Sequence, residues 1–302
     1  MDGAPRADAR APWLIAPGLA LGAERTALMG VVNATPDSFS DAGHNLDPEA
    51  ALATARAMIA RGADLLDVGG ESTRPGADRV RAEEQISRVV PVISAIRAAG
   101  IDTPISIDST IPAVAEAALE AGANAINDVS GASEHPEILA LAAERGCGIA
   151  LMHRLRPPGE DSYSDRYRHA PEYADVAAHV RDALESMASR ALDAGCAPAS
   201  ICLDPGLGFG KSVEQNTELV RRLGEIASLG FAVLAGASRK SFVGRLSMGA
   251  ADAEPPPPSK RLGGSIAFAL ACARRGASLI RAHDVRDTAA ALRTQHEIDR
   301  EP

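Results

Sequence analysis

Short apolar runs recur along this chain, and most of them end at a polar residue. The runs cover 27–33, 65–69, 105–108, 125–128, 148–153, 201–204, 231–236 and 278–281. Asn33, Asp67, Asp108, Asn127, His153, Asp204, Ser238 and His283 end or follow them. Alanine-rich segments with helical spacing lie between, over 48–61, 82–99, 112–121, 136–144, 175–194, 215–229 and 264–274. Glycines after Arg61, Ala121, Arg145, Ala194 and Arg275 read as helix stops, because glycine readily takes the left-handed conformation that ends a helix. Pro48, Pro112 and Pro136 read as helix starts, each after a residue expected to cap. Eight strands alternating with helices predict an α/β fold, a (β/α)8 barrel in a single domain, with a doubly wound open sheet as the alternative. The barrel accounts for one thing more: active sites of such barrels sit at the strand C-termini, where the polar residues fall.

Composition narrows the class. The 302 residues are 46% hydrophobic but only 3% aromatic, and the net charge is −9. An acidic chain disfavours nucleic acid and anionic membranes as partners. No apolar stretch reaches spanning length and no signal-peptide pattern is present, so the expected location is the cytoplasm. Cys147, Cys196, Cys202 and Cys272 lack metal-site spacing and read as free thiols of a reducing compartment. Lysine occurs only at 211, 240 and 260, the other basic residues being arginine. Residues 1–24 read as a loose tail and lead-in, 25–295 as the barrel, and 296–302 as a C-terminal tail. The run Pro255 to Pro258 predicts a stiff exposed loop away from the chemistry.

The stretch Asp204-Pro205-Gly206-Leu207-Gly208-Phe209-Gly210-Lys211 delivers an acid to a glycine-rich loop, where backbone and ligand can approach closely. It fails the P-loop pattern at Pro205 and the dinucleotide pattern at Lys211. Asp108, Asn127 and Asp204, each ending a strand, suit a flat donor-rich heterocycle, since a carboxylate accepts a bidentate pair and an amide both donates and accepts. Singly, each reads equally as a helix cap. Asp67-Val68-Gly69-Gly70-Glu71-Ser72-Thr73-Arg74-Pro75-Gly76 suits an anion-binding loop. Ser238-Arg239-Lys240-Ser241 and Arg281-Ala282-His283-Asp284 end the last two strands, the recurrent phosphate site of these barrels.

These motifs, with Gly30-Val31-Val32-Asn33-Ala34-Thr35-Pro36-Asp37-Ser38-Phe39-Ser40-Asp41 and Leu151-Met152-His153, resemble in order the signature segments of the dihydropteroate synthase family, from Ala27 to Leu292. The resemblance implies a (β/α)8 barrel that condenses 6-hydroxymethyl-7,8-dihydropterin diphosphate with 4-aminobenzoate and releases diphosphate. It implies that Asp108, Asn127, Asp204 and Lys240 hold the pterin, with Met152 packed nearby. It implies that Asn33 helps bind Mg²⁺ on the diphosphate, and that Thr73, Arg74, Arg281 and His283 contact the phosphates. Phe39 and Asp41 fall on a closing loop, and Thr73, Pro75, Phe209, Lys240 and Ser241 frame the aminobenzoate. Lys240, Asp41, Phe39 and Arg74 are thereby the expected catalytic set, and a homodimer the expected assembly. Two segments depart from the family pattern: Arg154 to Gly159 after His153, and the Pro255–Pro258 run. The alternatives are a methyltetrahydrofolate methyltransferase-like enzyme and a silent pterin-binding paralogue.

Overall fold

The computed structural model describes residues 10–34, 48–249 and 254–300. Eight parallel strands close into a barrel: β3 (Ala27–Asn33), β4 (Leu65–Gly69), β5 (Ile105–Asp108), β6 (Ala125–Asp128), β7 (Gly148–Met152), β8 (Ile201–Asp204), β9 (Ala232–Ala235) and β10 (Leu279–Ala282). Each pairs with its sequence neighbour, and β10 closes the ring onto β3. The predicted barrel is therefore present.

Strand alternation sorts each run into two faces. One set, Leu28, Val32, Leu66, Val68, Ile105, Ile107, Ile126, Ile149, Leu151, Ile201, Leu203 and Val233, belongs to the large cluster packed with the helices. The alternate set includes Met29, Leu65, Ala125, Ala150, Cys202, Leu234 and Leu279, which form a second cluster inside the barrel. One step toward the C-termini along the same inner face stand Asp67, Asp108, Asn127, Asp204 and Arg281. The sequence pattern thus separates a helix-facing apolar skin from an interior that changes from apolar to polar along the axis.

Several elements differ from the reading above. The segment expected to be a lead-in carries a hairpin, β1 (Trp13–Ala16) and β2 (Leu19–Leu21). Trp13 is fully buried in the inner cluster and its indole Nε1 donates to Ser200 O at 2.8 Å, so the hairpin plugs the N-terminal end of the barrel. The 215–229 segment is two helices, Val213–Arg221 and Leu223–Ala227. Helix Val213–Arg221 opens with a reciprocal Ser212–Gln215 capping box, a strong local start. The helix expected from Pro136 begins at Ile138, and Ile111 before Pro112 makes no side-chain cap. A short helix, Ser241–Leu246, follows Lys240, and the last helix, Val285–Asp299, reaches past 295. The expected glycine stops hold: Gly62, Gly122, Gly146, Gly195 and Gly276 all have positive φ. All four cysteines are buried and free. Among the described residues, no helix is long and apolar enough to cross a membrane.

Candidate active site

The inner face of β4, β5, β6, β8 and β10 brings three carboxylates, an amide and a guanidinium together at the C-terminal end. Asp67 is fully buried. It accepts from Ser106 Oγ at 2.6 Å, Asn127 Nδ2 at 3.1 Å and Arg281 Nε at 2.7 Å. Arg281 also donates through Nη2 to Asp108 at 2.9 Å. A partly buried guanidinium shared by two buried carboxylates partly offsets the cost of desolvating them. With its Nδ2 committed to Asp67, Asn127 has its amide orientation set, and its oxygen is the free acceptor. Asp108 remains poorly neutralised: burial, then repulsion by Asp67, pushes its carboxyl up to about 7 despite Arg281.

On the opposite side, Asp204 Oδ1 accepts from the Gly206 amide at 2.7 Å. Burial raises its pKa, while Lys240 and Lys211 pull against that. The loop beyond it depends on glycine. Gly206 has φ +65°, and a Cβ there would lie 1.9 Å from His153 O; at Gly208, φ +82°, a Cβ would lie 2.7 Å from Lys240 Cδ. Gly206→Ala is therefore expected to combine a backbone clash with a left-handed strain of about 1–2 kcal/mol. A thermal melt should show a clear fall, and an unchanged midpoint would contradict this backbone.

Lys240 crosses this loop. Its ammonium donates to Leu207 O and stands 4.3 Å from the centre of the Phe209 ring, a cation–π geometry. Burial lowers its pKa to about 8, with Asp204 opposing. Phe209, Met152 and Val129 form a small apolar cluster of their own. Arg239, just before Lys240, has φ +62°. It is over-determined there: its amide donates to Ser265 Oγ at 3.0 Å, its Nε to Asp284 at 2.9 Å, and its carbonyl accepts from Arg261 at 2.9 Å. A non-glycine residue held in this region costs on the order of 1–3 kcal/mol.

The remaining expected residues surround this core. Asn33 ends β3 with its side chain exposed. His283 donates its backbone amide to Ser238 Oγ at 3.1 Å, and its Nδ1 lies 3.1 Å from the same oxygen. Burial, then the charges of Arg281 and Arg239, lowers its pKa to about 4, so the imidazole is neutral. Thr73 and Pro75 are half-buried on the loop after β4 and Arg74 is exposed. Arg74 lies close enough that its charge also lowers the His283 pKa. Ser241 opens the short helix after Lys240. Phe39 and Asp41 lie outside the described residues.

Both departures from the family pattern are ordered into the rim. Arg154 pairs with Glu134, which also accepts from Arg79 at 2.7 Å and from Thr110 at 2.7 Å. Glu134 thus joins the loops after β4, β5, β6 and β7. The Asp161 carboxylate accepts from the Gly210 amide at 2.8 Å, binding the 154–168 segment to the glycine loop. The proline run is nearer the chemistry than expected. Pro256 O accepts from Arg261 Nε at 2.7 Å, and Arg261 holds the Arg239 carbonyl. Arg261 therefore carries the contact from the proline run to the turn that aims Lys240.

Sequence reasoning passed over two buried groups, Asp67 and Lys211. Both lay inside the motifs above, and the available signals were an acid two places before the end of β4 and a lysine closing the glycine loop two places before the helix Val213–Arg221. Among the described residues, no group of three acids, histidines or cysteines could hold a metal.

The chain has relatives in both sequence and fold. A model of the pterin binding enzyme family matches residues 29–283. A dihydropteroate synthase from Mycobacterium leprae is 44% identical over 266 residues, 88% of this chain and 91% of its own length. The Xanthomonas albilineans dihydropteroate synthase with 4-aminobenzoic acid aligns at TM-score 0.82 and 41% identity, over 94% of this chain and 96% of that one. The same organism's enzyme in complex with 7,8-dihydropteroate aligns at TM-score 0.78 and 38% identity, over 92% and 95%. The chain belongs to the pterin binding enzymes and, within them, to the dihydropteroate synthase family.

Proposed function

We infer that this barrel condenses 6-hydroxymethyl-7,8-dihydropterin diphosphate with 4-aminobenzoate, giving 7,8-dihydropteroate and diphosphate. The observation that carries the reading is the placement of Asp108, Asn127 and Asp204 on one inner face, beside a Lys240–Phe209 pair. The carboxylates suit the donor edge of a pterin, and the fixed Asn127 oxygen adds an acceptor. Their negative charge favours a pterin that becomes cationic as its exocyclic C–O bond breaks. Arg74, Arg281 and the neutral His283, with Thr73, would meet the leaving diphosphate, Arg281 while also bonded to Asp67 and Asp108. The Phe209 ring and Pro75 offer flat walls for the arylamine, and Ser241 a hydroxyl for its carboxylate. The amine nitrogen attacks the cationic carbon, the new C–N bond replaces the broken C–O bond, and the nitrogen then loses a proton. No protein nucleophile is needed.

Magnesium suits the donor set as a companion of the diphosphate. It keeps several waters and takes one or two protein oxygens alongside phosphate oxygens, and Asn33 supplies one exposed amide oxygen at the strand end. When bound, it would neutralise charge on the departing diphosphate. Excess chelator is expected to abolish diphosphate release. Asn33→Ala should raise the magnesium concentration needed for half-maximal rate, and full activity in chelator would refute the assignment. A homodimer working in the cytoplasm completes the proposal, supported by the family likeness and by the buried free thiols. The deciding assay is diphosphate release requiring both substrates. A methyltransferase-like enzyme or silent paralogue would give none.

A further inference from the structure

Lys211 is fully buried at the end of the glycine loop and meets the residues assigned to the substrates only through the backbone carbonyl of Phe209. Removing an ammonium from water is expensive unless every proton finds an acceptor. Here each one does. Lys211 Nζ lies 3.0 Å from Gly206 O, 2.9 Å from Phe209 O and 3.0 Å from His153 Nδ1. The first two acceptors are the ends of one turn, closed also by Phe209 N donating to Gly206 O at 3.1 Å. The third belongs to the loop after β7. Burial, then the Lys211 charge, lowers the His153 pKa to about 2, so this imidazole is neutral, and the tautomer protonated on Nε2 would accept from the ammonium at Nδ1. Around the knot, Asn216 Oδ1 accepts from Gly208 N at 2.6 Å and Tyr173 OH donates to Gly210 O at 2.7 Å. Without the ammonium, the Phe209 and Gly206 carbonyls would face each other across the turn with no shared donor.

We propose that Lys211 is the positioning residue of the arylamine pocket. By tying Gly206, Phe209 and His153 to one point, it fixes the Phe209 ring beneath the Lys240 ammonium and against Met152. The proposal rests on the synthase reading. It differs from a general stabilising role by predicting a selective effect on one substrate. Asp108 and Asn127 are held by contacts outside the knot, while Asp204 meets it through the Gly206 amide, the His153 amide and the Lys211 charge; the pterin grip should therefore lose less than the arylamine pocket.

The test is Lys211→Met, which keeps the stem and removes the donors. Kinetics with each substrate varied in turn are combined with calorimetry of pterin binding and amide hydrogen exchange. The expected result is a rise of about tenfold or more in KM for 4-aminobenzoate, with the pterin dissociation constant within about threefold. Exchange should accelerate at Gly208 to Gly210 and stay unchanged on the barrel strands. Equal losses toward both substrates with faster exchange throughout would make Lys211 merely structural and overturn the proposal, as would an unchanged aminobenzoate KM. Should Lys211→Met fail to fold, His153→Ala keeps the ammonium on both loop carbonyls and should raise the same KM by about threefold; no rise overturns the proposal. If the unsubstituted protein forms no dihydropteroate, the synthase reading fails by itself. Local exchange and calorimetry with 4-aminobenzoate, pterin and diphosphate then judge the knot, and unchanged values in the variant overturn it.

Discussion

Lys240→Arg is expected to lose most turnover while the protein keeps its melting temperature. The lysine stem passes so close to Gly208 that a Cβ there would stand 2.7 Å from its Cδ. Its ammonium reaches Leu207 O while covering the Phe209 ring. A guanidinium carries the same charge, but it is planar and wider, with its donors in a fixed fork. It must either displace the glycine loop or withdraw from Phe209. Displacing reacting groups by about 1 Å costs on the order of 100-fold in rate, and that is the expected fall in kcat/KM. The fold should tolerate the change, because the short helix after Lys240 is anchored through Phe242 and Val243, both fully buried. Near-normal kcat/KM would show that this lysine is incidental. A joint collapse of activity and melting temperature would show that it is structural.

Asp204→Asn is expected to abolish tight pterin binding. Asp204 presents an anionic acceptor from the inner wall, and its backbone-facing oxygen is already held by the Gly206 amide. A neutral amide loses charge-assisted bonds worth about 1.5–3 kcal/mol each. It also presents an NH₂ either to the Gly206 amide or to the pterin donors. Weakening by about 10- to 100-fold for each bond lost should be visible by calorimetry. The loss should extend to the pterin alone, without aminobenzoate. That separates Asp204 from Lys211, whose effect should fall on the second substrate. Unchanged pterin affinity would remove Asp204 from the site.

The barrel was legible because its alternation is simple. Within 105–108 and 201–204, branched apolar residues alternate with polar or small ones, and each run ends at an acid that proves to line the interior. The helical segments were legible from alanine-rich periodicity and from glycines whose left-handed φ ends them. The N-terminal hairpin was not, since neither Trp13–Ala16 nor Leu19–Leu21 runs into a polar residue that marks a strand end, and no helical segment follows them. The break at Arg222 was hidden for a different reason: the periodicity continues across it. In the site, strand-end residues could be read because their position alone implies a role. Asp67 was read only as one polar residue of its strand and Lys211 only as part of a motif, because their particular roles lie in partners at sequence separations of 214 and 58. The proline run was placed too far from the chemistry because Arg261, the link between them, carries no motif.

The alternation of the barrel strands also sets how this protein can change. On β5, Ile105 and Ile107 pack toward the helices while Ser106 and Asp108 face the interior. Neighbouring codons therefore answer to separate selective pressures, one for the helix packing and the other for ligand and chemistry. Point substitutions can tune stability at the odd positions of this strand without altering the pterin face. A single-residue insertion has no such freedom. It would turn Ile107 into the charged interior and drive Asp108 into the apolar layer, exchanging both roles at once. Length variation should accordingly be confined to the connecting loops.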